Sequence, residues 1–174
     1  MIYYEKDGIR IRDLRESDAQ IITDEEIAQG WHQSVEKYLM RLQHQAEGRC
    51  TSFVAEYNGC VAGYVNVYPY SIAGPFVDCG YPEIVDLGVL EKYRNHGIGN
   101  VLLDVAEEFA SRTSDTVQLN VGLHSGYGNA QRIYVKRGYL PDGSGAWYRK
   151  AVCEPYSPCC NDDDLVLYLS KKLR

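Results

Sequence analysis

Apolar and polar positions alternate along the chain with two different periods. Ile9 and Ile11, interleaved with Arg10 and Arg12, have the period of two expected of a strand with one buried face. Ser17-x-x-Gln20 has capping-box spacing and predicts the start of a helix carrying Ala19, Ile22 and Ile27. A second helix is predicted from residue 34 to about residue 45, because Val35, Tyr38, Leu39 and Leu42 fall on one face. Trp31 and His32 mark the bend between the two, with Trp31 readable as a core aromatic. Residues 53–57 and 61–68 read as the strands of a hairpin, since both residues of the intervening Asn58-Gly59 accept positive φ. A long loop follows over 69–82, broken by Gly74, Pro75 and Gly80. Tyr68, Tyr70 and Phe76 could line a cleft there or cover a sheet edge.

Residues 83–100 organise the rest. They open with an apolar run, Glu83-Ile84-Val85-Asp86-Leu87-Gly88-Val89, that reads as a buried strand. Arg94-x-x-Gly97-x-Gly99 then leads into a helix whose face is Ile98, Val101, Leu102, Val105 and Phe109. A further apolar run over 116–121 completes a strand, turn, helix and strand, the pattern of a right-handed crossover between parallel strands. The turn is therefore a helix N-terminus whose free N–H groups attract anions, and its glycines admit a phosphate close to the backbone. It is not a dinucleotide fingerprint, because Gly122 stands where a ribose-binding acid is wanted, and it lacks the lysine of a P-loop.

Beyond this lies a Gly-rich segment over 122–128. A short helix is expected over 129–137, burying Ala130, Ile133 and Tyr134 and stopping at Gly138. Residues 147–150 and 165–169 read as two antiparallel strands around a Cys-rich loop. No internal repeat or low-complexity segment occurs.

Two stretches carry a resemblance. Leu87-Gly88-Val89-Leu90-Glu91-Lys92-Tyr93-Arg94-Asn95-His96-Gly97-Ile98-Gly99 is similar to the acetyl-CoA motif of the GCN5-related N-acetyltransferases, the GNAT superfamily, commonly Leu-Ala-Val, a linker, then Arg-x-x-Gly-x-Gly/Ala. Ala130-Gln131-Arg132-Ile133-Tyr134-Val135-Lys136-Arg137-Gly138-Tyr139 resembles the second signature, Ala-x-x-Leu-Tyr-x-x-x-Gly-Phe. The resemblance implies an α/β (α+β) GNAT fold: a mixed twisted sheet of about seven strands, helices on both faces, and a splayed pair of parallel strands. It implies one domain over residues 1–174.

What it implies for function is an acetyl-CoA-dependent N-acetyltransferase. Leu87, Gly88 and Val89 would bind the pantetheine arm through backbone atoms, as an added strand would. Arg94, Asn95, His96, Gly97, Ile98, Gly99 and Asn100 would hold the diphosphate. Tyr134 stands at the position of the general acid that protonates the departing thiolate, and its ordinary pKa suits that donation. Glu83 precedes Val89 at the spacing of the catalytic Glu of the histone-acetylating branch, which makes it the candidate base. It should share a face with Val85 and Leu87 unless a bulge intervenes. Asp86 is the weaker candidate, and other branches move the proton through water. Where the family often has Asn this chain has Tyr127, and Asn129 is expected to take over the pantetheine contact.

Composition narrows the partners. The 174 residues suffice for one domain with a sizeable core, and 45% apolar with 24% charged residues is ordinary for a globular protein. A net charge of −6 argues against a nucleic-acid binder and leans towards a cationic acceptor, a small amine or basic peptide. No signal-peptide core or membrane-length apolar run is seen, so a cytoplasmic protein with no membrane partner is expected. The six cysteines, Cys50, Cys60, Cys79, Cys153, Cys159 and Cys160, fit no disulfide framework and read as free thiols. Cys153, Cys159 and Cys160 share a loop with Asp162, Asp163 and Asp164, but the spacing is not that of a metal site, and no metal is expected. No cysteine falls in the motif strand or the acid helix, which disfavours an acyl-cysteine intermediate. The acceptor and the oligomeric state, a homodimer included, stay open. So do a non-catalytic CoA-binding protein of this fold and transfer to a hydroxyl or a protein lysine.

Overall fold

Asn58 and Gly59, at φ of 50° and 85°, close a hairpin between β3 (Thr51–Tyr57) and β4 (Cys60–Tyr68). Asp7 and Gly8 do the same, at 53° and 78°, between β1 (Ile2–Lys6) and β2 (Ile9–Asp13). The computed structural model describes residues 1–174 and has ten strands and four helices, a mixed α/β fold. The chain forms two compact units. One comprises Met1–Tyr68 with Ile84–Phe109, the other Pro69–Glu83 with Ala110–Arg174.

In the first unit the strand order is β1-β2-β3-β4-β5, with β5 being Glu83–Val89; Glu83 itself groups with the second unit. β1 to β4 pair antiparallel in sequence. Leu90 N–H donates to Ala62 C=O at 2.9 Å and Asn66 Nδ2 to Val85 C=O at 3.2 Å, so β5 also runs antiparallel to β4. Helices α1 (Glu16–Ala28) and α2 (Val35–Ala46) cover one face. There Leu14, Ala19, Ile22 and Tyr38 pack with Val54, Val61 and Tyr64. Helix α3 (Ile98–Ala110) covers the other: Phe109 meets Phe53 at 5.5 Å, and Leu102 packs at Gly63. Strand alternation puts Phe53 and Gly63 on one side and Val54 and Tyr64 on the other, which gives this sheet its helices on both faces.

Two details differ from the pattern reading. Helix α1 starts before Ser17, and its end is held by Asp18, which accepts Arg15 N–H at 2.7 Å. Asp18 is fixed in turn by the buried Arg12, which donates to it at 2.7 and 2.9 Å and to Glu56 at 2.6 Å. Ile27 and Leu39, each placed on a helix's apolar face by spacing, are exposed.

In the second unit β10 (Leu165–Lys172) is central. It pairs antiparallel with β6 (Thr116–Gly122) on one side, and with β7 (Leu140–Pro141) and β8 (Trp147–Tyr148) in turn on the other. β9 (Ala151–Val152) pairs with β8. Helix α4 (Gly128–Lys136) buries Tyr134, with Ala130 and Ile133 only part-buried. Trp147 packs on Tyr168 at 5.3 Å, and Gly74 lies so close to Tyr168 that a Cβ there would come to 2.5 Å. The strand count of ten exceeds the expected seven because β1 is a largely exposed edge strand, while β7 and β9 span two residues each. Segments that short carry no period to read. No helix is long and apolar enough to cross a membrane.

Candidate functional site

β5 is kinked. Asp86 lies in its middle at φ 57°, a conformation that costs an L-residue about 1–2 kcal/mol and needs support. Arg41 and Lys37, one turn apart on α2, supply it. Arg41 Nη2 donates to Asp86 Oδ2 at 2.7 Å, and Lys37 Nζ lies 3.8 Å from the same oxygen. Because of the kink, two-residue alternation cannot be counted from Glu83 and Val85 through to Leu87. Beyond it, Gly63 and Gly88 bring β4 and β5 together. A Cβ on Gly63 would lie 2.5 Å from Gly88 O, and one on Gly88 would lie 3.1 Å from the Tyr64 ring. Leu87, Gly88 and Val89 are part-buried.

The chain leaves β5 through the buried Leu90 and one 3-10 turn, Glu91–Tyr93, into Arg94. Asn95 and Gly97 turn it with φ of 66° and 79°. Gly97 C=O accepts the N–H groups of Asn100 and Val101 at 3.0 and 3.2 Å and so begins α3. Ile98 and Gly99 are then first-turn donors, which a helix leaves without an internal acceptor. Ile98 is buried and anchors the helix, while Gly99 faces Val89, with 3.6 Å from a would-be Cβ to Val89 Cγ2. Asn95, Gly97 and Asn100 are exposed, and nothing lies within 4 Å of a Cβ position at Gly97. His96 braces the turn itself: Nδ1 donates to the Arg94 and Tyr93 carbonyls at 2.9 and 3.2 Å, and the ring packs on Tyr57 at 4.7 Å. Arg94 stays exposed, 3.2 Å from Glu91 and with its guanidinium 5.9 Å over Trp31. A surface pair of this kind is weak, so Arg94 can be recruited by a stronger anion. Open helix N–H groups, an uncluttered glycine and an exposed arginine fit a diphosphate.

Trp31 is half-buried rather than a core residue. It lines an open cavity of about 550 Å³ with Ile27, Gly30, His32, Gln33 and Ser34 at the bend between α1 and α2.

Sequence reasoning missed a polar network that carries no motif, because its members come from α1, α2, β4 and β5. The hydroxyls of Tyr38 and Tyr64 lie 3.1 Å apart, and each donates to one oxygen of the buried Glu26. Lys37 donates to Tyr64 at 3.2 Å. Burial pushes the Tyr64 phenol well above its ordinary pKa, and burial followed by the hydrogen bond to Glu26 raises Tyr38. Arg41 also donates to the Tyr68 hydroxyl, which sits 2.7 Å from His44 Nδ1. His44 is held below its ordinary value, first by burial and then by the charges of Arg49 and Arg41.

In the second unit Glu83 is half-buried, with Asn120 Nδ2 3.5 Å from its Oε1. Its charge is the second cause, after burial, of a raised Tyr168 phenol. Tyr134 is buried, 5.6 Å from the Tyr139 ring. Asn129 is exposed in the first turn of α4. Tyr127 is committed locally: its hydroxyl donates to Asp163 at 2.9 Å, and its ring packs on His124 at 4.6 Å. Asp163 is held below the usual carboxylate range, first by His124 and then by Tyr127. All six cysteines are free, and no three His, Cys, Asp or Glu side chains gather as a metal site. Leu87–Val89 and Arg94–Asn100 are thus placed together in the first unit, and Glu83, Asn129 and Tyr134 in the second.

Solved structures with the same fold include acetyltransferases. Salmonella typhimurium YncA with its cofactor acetyl-CoA is 16% identical with a TM-score of 0.66, over 97% of this chain and 95% of that one. The Salmonella typhimurium acetyl transferase that modifies the N-terminal serine of ribosomal protein L7/L12 is 11% identical with a TM-score of 0.72, over 100% of both chains. Ard1 from Thermoplasma volcanium is 17% identical with a TM-score of 0.69, over 96% of this chain and 99% of that one. No curated protein matches the chain in sequence. The model of the acetyltransferase (GNAT) family matches residues 11–139, and the chain belongs to that family. It is an acyltransferase that uses acetyl-CoA.

Proposed function

We propose that this protein transfers the acetyl group of acetyl-CoA directly to a primary amine, either a small polar amine or an amine of a basic peptide. The observation that carries the reading is the start of α3: Gly97 at φ 79°, open space around it, and exposed Arg94 one 3-10 turn beyond the Leu87-Gly88-Val89 strand. The diphosphate would sit on the Ile98 and Gly99 N–H groups, with Arg94 adding charge and Asn95, His96 and Asn100 completing the turn. The pantetheine arm would lie along Leu87, Gly88 and Val89 as an added strand, and a backbone N–H there would stabilise the oxyanion. Asn129 would contact the same arm.

Acyl transfer also needs the amine deprotonated and the thiolate protonated. Glu83 is assigned the first task and Tyr134 the second, as the family resemblance implies. With no cysteine in β5 or α4, the amine attacks the thioester itself. A structure of the same fold modifies a protein N-terminus, and net charge −6 favours a cationic partner; both suit a peptide amine. The two units would act as one domain, in a reducing cytoplasm where six thiols stay free.

Titration with acetyl-CoA tests the reading. Saturable micromolar binding is expected, followed by CoA release when a panel of amines and basic peptides is added. No binding would reject the cofactor assignment. Binding without turnover across the panel would make the protein a non-catalytic CoA binder.

A further inference from the structure

Lys37 carries its ammonium into a pocket rather than into solvent. Nζ is 3.2 Å from the Tyr64 hydroxyl, 3.8 Å from Asp86 Oδ2, and 5.5 Å from the ring centroids of both Tyr38 and Tyr64. The side chain is 23% exposed, against 70%, 51% and 69% for Lys6, Lys92 and Lys172, which also pair with carboxylates. Two aromatic rings, a hydroxyl and a carboxylate form a site for an alkylammonium, and this chain supplies the occupant itself.

The pocket adjoins the motif strand. A Cβ on Gly88 would lie 3.1 Å from the Tyr64 ring and 3.5 Å from its hydroxyl oxygen, so one side chain separates Lys37 Nζ from the Gly88 backbone. Asp86 belongs to the same strand, two residues earlier.

We propose that Lys37 is a self-acetylation site, modified by the acetyl-CoA bound to its own chain. The proposal rests on the reading of Leu87-Gly88-Val89 as the place of the thioester. The ammonium gives one proton to the Asp86 carboxylate. The Nζ lone pair then forms the C–N bond to the acetyl carbonyl carbon, the C–S bond breaks, and Nζ loses its second proton. One of the two protons leaves with the thiolate as the CoA thiol and the other passes to solvent. Because the nucleophile is held beside the strand, the step is intramolecular and needs no second molecule. It happens once per chain, and the neutral amide that results ends the ion pair with Asp86, leaving that carboxylate to Arg41.

The full chain is incubated with isotopically labelled acetyl-CoA and no acceptor, then digested and mapped by mass spectrometry at several protein concentrations. The affinity for acetyl-CoA is measured on the same sample. One acetyl group per chain is expected, on Lys37, with a rate constant independent of protein concentration. Lys37→Arg should remove the label while retaining acetyl-CoA binding, which shows that the variant is folded. Bound acetyl-CoA with Lys37 unlabelled overturns self-acetylation and leaves the cofactor reading standing. A rate constant that rises with protein concentration overturns it as well, since transfer is then between molecules. Label spread over Lys6, Lys92 and Lys172 at the rate seen in the unfolded chain does the same. Failure to bind acetyl-CoA removes the underlying reading and this proposal together.

Discussion

Arg41 Nη2 meets Asp86 Oδ2 at 2.7 Å, tying the middle of α2 to the one left-handed residue of β5. Both side chains are largely withdrawn from water, at 13% and 27% exposure, so the pair is less screened than a surface bridge. It holds a backbone conformation that the strand would otherwise relax. Arg41→Ala is therefore expected to cost about 2 kcal/mol, the scale of losing a charged hydrogen bond. The loss is read as a lower urea midpoint at unchanged m-value. Acetyl-CoA binding should weaken too, because the kink sets where the Leu87–Val89 backbone points. Wild-type stability in the variant would remove the tether from the account.

Glycines 63 and 97 should fail for different reasons. Alanine at Gly63 drives a Cβ to 2.5 Å from Gly88 O, between two strands that cannot both stay in register. A cost of about 1–3 kcal/mol and a loss of acetyl-CoA affinity are expected. Alanine at Gly97 meets nothing within 4 Å, and its cost is the left-handed backbone alone, about 1–2 kcal/mol. Equal effects at the two sites would contradict this distinction.

Arg94→Ala should raise the dissociation constant for acetyl-CoA about tenfold, a loss near 1.4 kcal/mol. The difference from wild type should shrink at high salt, since the lost interaction is ionic. A difference that persists in high salt would mean that Arg94 acts by packing on Trp31, 5.9 Å away.

For the chemistry, Tyr134→Phe should lower kcat by about 10²-fold with little change in acetyl-CoA affinity, as expected when a general acid is removed. Glu83→Gln should depress the acidic limb of the pH–rate profile. Unchanged turnover in the first variant would take Tyr134 out of the mechanism, and an unaltered profile in the second would favour a water relay.

His44 makes stability depend on pH. Its folded-state pKa lies below the ordinary value of 6.5, so above that value it is neutral in both states and the full stability is present. As pH falls through 6.5 the unfolded chain takes up a proton that the native state refuses, and stability is lost until the folded value is passed. His44→Gln should flatten this part of the dependence as the pH falls through 6.5, measured by urea unfolding at each pH. An identical slope in the variant would assign the dependence to other groups.

Elements with a long, clean period were legible in the chain alone. The Asn58-Gly59 hairpin, the α3 face through Ile98, Leu102 and Val105, and the short α4 helix around Tyr134 all follow from local spacing. Two-residue strands such as β7 and β9 were not, because pairing with β10 and β8 creates them. The start of α1 was misplaced for a related reason. Its decisive acceptor, Asp18, is oriented by Arg12 on β2, a contact that no local window contains.

The family motifs and the anion-receptive turn were determined by the sequence itself, since glycine, arginine and helix-start signals act between near neighbours. Only the tertiary structure decided that Asp86 would adopt a left-handed conformation against Arg41, and that Lys37, Tyr38, Tyr64 and Glu26 would share one pocket. Those groups are brought together by strand register and helix packing. A buried carboxylate or ammonium is stable only when such distant partners arrive.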